Sequence, residues 1–413
     1  MVAVVERTTC VVVGGGPAGM VLGLLLARAG VEVTVLEKHA DFLRDFRGDT
    51  VHPSTLQLLD ELGLGERFAK LPQSRLSTVS LPGPPPLTIA DFRGLRIAHP
   101  YLAMVPQWDL LDLLADAGRA EPAFHLRMST EVTSLVREAG RVAGVRYRTA
   151  DGATGEIRAD LTVGCDGRWS VVRREAGLRA REFPVPFDTW WLRLPRRGEE
   201  RPELMPGMRH GHFAVIIPRE EYFQVAYLAA KGLDGQLRAE GVEAFRDRIR
   251  TVLPQLADRV DAITSMDDVK HLDVRLNLMT RWHRNGVLCI GDAAHAMSPI
   301  GGVGINLAVQ DAVATARLLA VPLRRGVVAR DLARIRRRRL LPTMVVQAIQ
   351  RFMHRAVVRP AIEGRRNGPP KPLVTVMNAV PWARRIPAYV IGVGLLPEHA
   401  PKWARRNNNT ESK

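Results

Sequence analysis

Three acidic residues stand at the ends of apolar, β-branched runs. Glu37 closes VEVTVLE (31–37), Asp166 follows LTVGC (161–165) and Asp292 follows VLCIG (287–291). A carboxylate accepts hydrogen bonds, so the chemistry on offer is the holding of hydroxyl groups rather than covalent attack. Two of the three also have a simpler use: Asp166-Gly167 as an ordinary turn and Asp292 as a helix N-cap. Cys10, Cys165 and Cys289 each sit in an apolar run and read as buried, reduced strand residues. No spacing of His, Cys or acids suggests a metal site, and the reading requires no protein nucleophile or catalytic dyad.

The stretch VVVGGGPAGMVLGLLLARAG (11–30) supplies a ligand for Glu37. Gly14, Gly16 and Gly19 fit G-x-G-x-x-G between a strand and an apolar helix. In that motif the first glycine permits the tight turn and the second lets backbone approach a pyrophosphate. The third lets helix pack on strand. Free amides at the helix start favour the phosphate charge. Glu37 follows at about the 20-residue spacing at which an acid binds a ribose hydroxyl. An acid there suits an unphosphorylated adenosine ribose, so the dinucleotide is NAD or FAD.

A second glycine-rich turn, CIGDAAHAMSPIGGVGINLAVQDA (289–312), lies far along the chain. GGGPAG (14–19), Cys165-Asp166-Gly167 and Gly291-Asp292, in this order, resemble the FAD-dependent aromatic hydroxylases of the p-hydroxybenzoate hydroxylase type. The resemblance covers the chain from about Thr9 to the Arg-rich stretch near Arg339. It implies that Gly14, Gly16, Pro17, Ala18 and Gly19 hold the FAD pyrophosphate, with Glu37 and Lys38 at the adenosine end. It puts Asp166 near the pyrophosphate and the nicotinamide cofactor, and Asp292 on the ribityl chain. It aims the amides of a helix beginning near Gly304, notably those of Ile305 and Asn306, at the flavin ring. Pro299 stands at its reactive face. Arg47, in DFRGDTVHP (45–53), is implied to contact FAD and to help admit NAD(P)H. Gln107, in MVPQWDLLDLL (104–114), is implied to reach the pyrophosphate region, and the backbone of Val132 to meet adenine. The implied reaction uses NAD(P)H as a transient reductant and O₂, which adds at the flavin C4a before an organic substrate is oxygenated.

These residues need a frame. The pattern predicts an α/β fold: a Rossmann-like FAD-binding domain of the GR2 type, an inserted antiparallel-sheet substrate domain and C-terminal helices. Residues 1–78, 100–180 and 281–345 form the first unit, 79–99 and 181–280 the second, and 346–413 a helical segment and tail. TWWLRL (189–194), HFAVIIP (212–218), YFQVAYLA (222–229) and VKHLDVRLNL (269–278) alternate as strands. Trp191, Arg193, His212, Phe213 and Tyr222 read first as ordinary sheet residues. The resemblance makes them candidates for the substrate pocket. LPGPPPLTIADFRG (81–94) reads as a rigid loop or hairpin tip. RDLARIRRRRLLPTMVVQAIQRFMHRAVVRP (330–360) reads as one or two helices, broken near Pro342.

Composition bounds the rest. The chain has 413 residues, of which 46% are apolar and 25% charged, which suits a globular protein. Its net charge of +16 is carried mostly by Arg. No aromatic-interleaved basic patch or nucleic-acid motif accompanies that charge, so no nucleic-acid partner is expected. The Arg336–Arg339 run reads first as a solvated helix face, with a weak peripheral contact to anionic lipid as the alternative. Neither a signal peptide nor a spanning segment is read, so a cytoplasmic location is expected. The partners expected are a small molecule, apolar, aromatic or polyketide-like, and O₂. An isoprenoid reductase of the geranylgeranyl-reductase kind is the alternative function. Substrate and oligomeric state are not legible in these motifs.

Overall fold

The computed structural model describes residues 5–43, 50–81, 87–197, 205–219, 221–366, 368 and 370–406. Strand β1 (Val5–Val13) runs straight into helix α1 (Pro17–Arg28), which returns to β2 (Val33–Leu36). The first helical residue is Pro17, whose missing N–H costs nothing in the first turn. Residues Ala18 to Ala27 are all buried, as an all-round apolar helix demands. Close packing explains Gly23: a Cβ there would meet Phe124 and Val35 at 2.7 and 2.8 Å.

Strands β3 (Phe124–Arg127), β4 (Thr130–Glu138), β5 (Arg141–Thr149) and β6 (Thr154–Gly164) follow. β1 pairs in parallel with both β2 and β6, and β2 in turn with β3. β4 and β5 form an antiparallel meander on β6. The last strand of the path returns from more than a hundred residues away: Val287–Cys289 joins β6 in parallel. The sheet therefore places the C-terminal ends of β1, β6 and Val287–Cys289 side by side, at the end where all three acidic motifs emerge.

The second large sheet is antiparallel. It holds β7 (Phe187–Pro195), β8 (Met205–Arg209), β9 (His212–Pro218), β10 (Tyr222–Ala230) and β11 (Lys270–Leu272), in the order β8-β9-β10-β7-β11. One face carries Trp190, Leu192, Ala214, Ile216, Val225 and Tyr227. It is covered by Leu237, Phe245 and Ile249 of the helix Asp234–Val252. The other carries Phe187, Phe213, Ala226 and Leu228 and packs with Met297 and Leu307 of the second glycine-rich region and with Val357 of the C-terminal helices. The run 269–278, expected as one strand, is two. Lys270–Leu272 stays in this sheet, while Leu276–Met279 pairs with Ala180–Phe183. The break falls at Asp273, whose carboxylate bonds Lys231 and Arg275 instead of continuing the alternation.

The 81–94 excursion is a hairpin in which Thr78–Leu81 pairs with Leu87–Asp91; its tip lies outside the described residues. The Pro342 expectation is corrected. One helix runs unbroken from Ala329 to Met353, continuing as a π-helical turn at His354–Val358. Pro342 is buried inside it, so tertiary packing holds the helix through the lost hydrogen bond. The boundary expected at 345 falls inside this helix. Among the described residues, no helix is long and apolar enough to cross a membrane.

Candidate cofactor and active site

The glycine turn is built by contact with the other motifs. Gly14 has φ +104°, and a Cβ on it would lie 2.5 Å from the Cys165 carbonyl oxygen. The Cys165 amide donates to the Val13 carbonyl at 2.7 Å. Gly19 meets the Gly14 carbonyl so closely that a Cβ would fall 2.0 Å from its oxygen. Gly291 faces Ala18, with 3.4 Å from the Ala18 Cβ to where its own would stand. Segments separated by about 150 and 270 residues in sequence thus converge on one turn.

Glu37 is 2% exposed and locked into this turn. Its Oε2 accepts from the Gly15 amide at 2.8 Å and its Oε1 from the His39 amide at 3.0 Å. Its own backbone joins Arg127 and Thr130, which brings the start of β4, and Val132 with it, to the same end. Lys38 beside it is exposed.

The Asp166 carboxylate is engaged elsewhere. It accepts from Ser170 Oγ at 2.5 Å and from the Val172 amide at 3.1 Å, and so holds the start of the short helix Val171–Glu175, whose N-cap is Ser170. Burial pushes this carboxyl up, while the two donors pull it down. Asp292 is more open. Arg168 reaches its Oδ2 at 3.4 Å and also donates to the Asp273 carbonyl.

The second glycine loop is strapped from behind. Gln350 accepts from the Ser298 amide and donates to the carbonyls of Ser298 and Ile300, both at 2.9 Å. His354 bonds Ser298 Oγ at 2.9 Å, and His52 Nε2 lies 3.3 Å from the Gly301 carbonyl. Pro299 opens the loop, half-buried, and Gly301 is exposed. The helix Gly304–Arg325 then begins with no side chain capping it. The Asn306 side-chain oxygen accepts from Ser54 and Thr55, which ties that helix start to Pro53–Glu61. Gln107 is half-buried at the first position of the helix Gln107–Arg119. Arg47 lies outside the described residues.

Of the substrate candidates, alternation puts Trp191, Arg193, Phe213 and Tyr222 on the sheet face toward the glycine loop. Trp191 packs in one cluster with Ile300 and Met297, and Arg193 stacks over the Tyr222 ring at 4.7 Å. His212 is a correction. It is one residue out of phase with Phe213, so it points to the helix-covered face, where its Nδ1 meets Tyr227 Oη at 2.7 Å.

Residues 7–348 match the model of a family described as the FAD binding domain. The chain belongs to that family, the FAD-dependent monooxygenases of the p-hydroxybenzoate hydroxylase type. Among its relatives is 6-methylpretetramide 4-monooxygenase of Streptomyces rimosus, 37% identical over 326 residues and covering 77% of each chain. A second is 12-dehydrotetracycline 5-monooxygenase/anhydrotetracycline 6-monooxygenase of the same species, 32% identical over 323 residues. That alignment covers 74% of this chain and 61% of the relative. Among solved structures, the OxyS anhydrotetracycline hydroxylase from S. rimosus superposes with a TM-score of 0.74 at 26% identity. It covers 94% of this chain and 76% of that one.

FAD is accordingly the cofactor of this flavoprotein, and the residues fit it. Beside Gly16 nothing lies within 4 Å of where a Cβ would be, and α1 begins there with no side-chain cap. Its first amides are thus left for an anion. The uncapped start at Gly304 offers a second set of amides, over 280 residues away in sequence. The sequence motifs did not point to Arg168, His295, Asp311, Arg339 or Gln350. The one signal for Asp311 is its charge inside the otherwise apolar run INLAVQDAVATA (305–316).

Proposed function

We propose that this chain is a monooxygenase that uses NAD(P)H and O₂ to insert one oxygen atom into an aromatic, polyketide-like small molecule. The observation that carries this reading is the apolar sheet face of Trp191, Phe213, Ala226 and Leu228, packed over Met297 and Ile300 of the glycine loop. Bound FAD supplies hydride acceptance and the activation of dioxygen. The protein must bind and orient the substrate and exclude water. The Gln350 and His354 contacts hold the loop backbone in place while the sheet roofs it. The Gly304 helix start favours negative charge at its end. Gly14 to Gly19, Glu37 and Asp292 would hold the cofactor. Arg47 remains the candidate for admitting the nicotinamide reductant, on the sequence resemblance alone. The relatives named for 6-methylpretetramide and for 12-dehydrotetracycline and anhydrotetracycline support a polyketide-like substrate.

The test is oxygen uptake by the purified flavoprotein with NADPH or NADH, across a panel of aromatic and polyketide compounds. The expected result is substrate-stimulated uptake with a product heavier by one oxygen atom. Saturation of an isoprenoid double bond without oxygen uptake would establish the reductase alternative instead.

A further inference from the structure

Two members of the Arg336–Arg339 run are engaged by buried acids rather than free on a surface. Arg339 is 1% exposed and bonds Asp311, while Arg338 bonds the buried Glu398. A different surface has the chemistry to meet lipid. Trp382, Ile386 and Tyr389 are 64%, 56% and 44% exposed. They follow one another at intervals of four and three, which sets them on one face across the turn Pro381–Arg384 and the helix Arg385–Gly392. The opposite face is anchored: Ala388 is fully buried, and Gly392 sits against the Phe92 ring. With Leu95, Arg385 and Val390 the three exposed residues line an open cleft of about 500 Å³.

Arg384 and Arg385 belong to this patch, and Arg93 and Arg96 flank Leu95, which lines the same cleft; the one acid between Pro381 and Ala404 is Glu398. Glu398 is 3% exposed and already paired with Arg317 and Arg338. The nearby Asp91 is paired with Arg93. A patch of Trp, Tyr and Ile flanked by arginines matches a surface that is negative outside and apolar beneath. A second copy of the chain would bring the same cations against themselves.

We propose that the Trp382–Tyr389 face docks this enzyme peripherally on an anionic lipid bilayer. Aromatic and aliphatic side chains enter the headgroup region while Arg384, Arg385 and their neighbours meet lipid phosphates. No span is involved, so attachment is reversible and weakens with salt.

The experiment is co-sedimentation of the full-length, FAD-loaded protein with vesicles of phosphatidylcholine alone or with added phosphatidylglycerol. Binding is expected to the anionic vesicles only, and to fall as salt rises. Ile386→Asp combined with Trp382→Ser should weaken it at least about tenfold with flavin content and melting unchanged, since both positions are exposed. The lipid and salt dependence of the wild-type protein stands as a test even if that variant folds poorly. The idea is overturned by absent binding at low salt, by equal binding to neutral vesicles, or by an unaffected variant. A wild-type dimer abolished by Ile386→Asp, with no vesicle binding, would assign the face to a second copy instead.

Discussion

Asp311 Oδ2 lies 2.5 Å from His295 Nε2, with both residues at most 1% exposed. The same carboxylate accepts from the Gly291 amide at 3.1 Å and from Arg339 Nε at 3.0 Å. One buried acid in the Gly304–Arg325 helix therefore fixes the backbone that presents Asp292 and joins it to the next helix. Burial works against its charge, but His295, Arg339 and the Gly291 amide outweigh that and hold its pKa below the usual carboxylate range. Removing one member of such a network leaves buried charge behind, at about 3–5 kcal/mol. Asp311→Ala should thus lower the chemical-denaturation midpoint sharply and release FAD, although Asp311 is no part of the cofactor-binding set. Unchanged stability with normal flavin content would show that the network is dispensable.

Acid should destabilise the fold well before its carboxylates are protonated. His52 is fully buried, and burial pushes its pKa down to about 4 against the opposing pull of the Gly301 and Thr50 backbone. An unfolded histidine titrates near 6.5, so between about pH 6.5 and 4 the unfolded chain binds a proton that the fold refuses. Stability is full above that window and falls through it by about 3 kcal/mol from this residue. His354, also held down to about 4 by burial, adds to the slope. Urea midpoints of wild type and His52→Gln, compared at pH 7.5 and 5, should show a smaller drop in the variant. Parallel drops would mean that His52 is protonated in the fold.

What could be read in advance was whatever local spacing determines. Gly14, Gly16, Gly19 and Glu37 form a nearly contiguous unit, and each carries its constraint in its own type. The place of Asp292, at a strand end before a glycine loop, was legible; what it binds is for the flavin titration below to decide. His212 was misread because a one-residue phase difference reverses the face of a strand, and HFAVIIP does not say which face a helix will cover. Pro342 was misread because burial against neighbouring elements outweighed its local cost. The Arg run hid an inward member because only the partner acids Asp311 and Glu398, 28 and 59 residues from Arg339, reveal which arginine turns inside.

Asp292 is half-open and touched by a guanidinium at the long distance of 3.4 Å, so its removal costs the fold little. Asp292→Ala should melt close to wild type yet lose most of its flavin on gel filtration. A charge-assisted hydrogen bond of about 1.5–3 kcal/mol corresponds to roughly ten- to hundredfold weaker FAD binding. Isothermal titration of the apoprotein with FAD measures that ratio. An unchanged affinity would return Asp292 to its simpler reading as a helix cap.

Two glycines of one turn should respond in opposite ways to the same added methyl group. A Cβ on Gly19 would lie 2.0 Å from the Gly14 carbonyl oxygen and 3.2 Å from Val12 Cγ1, with backbone on one side that cannot yield. Gly19→Ala should therefore damage the fold itself, through overpacking of about 1–3 kcal/mol or more. At Gly16 the φ of −75° suits any residue and nothing lies within 4 Å of the Cβ position. Gly16→Ala should fold and, without cofactor, melt at or slightly above the wild-type temperature, because the unfolded chain is stiffer. If the open side of Gly16 is where the FAD pyrophosphate approaches, that methyl group takes its place, and affinity for FAD falls while apoprotein stability does not. Thermal melts of the two apoproteins, followed by FAD titration of whichever folds, separate the two roles. Full FAD affinity in Gly16→Ala would move the pyrophosphate away from this turn and overturn the assignment of its glycines together.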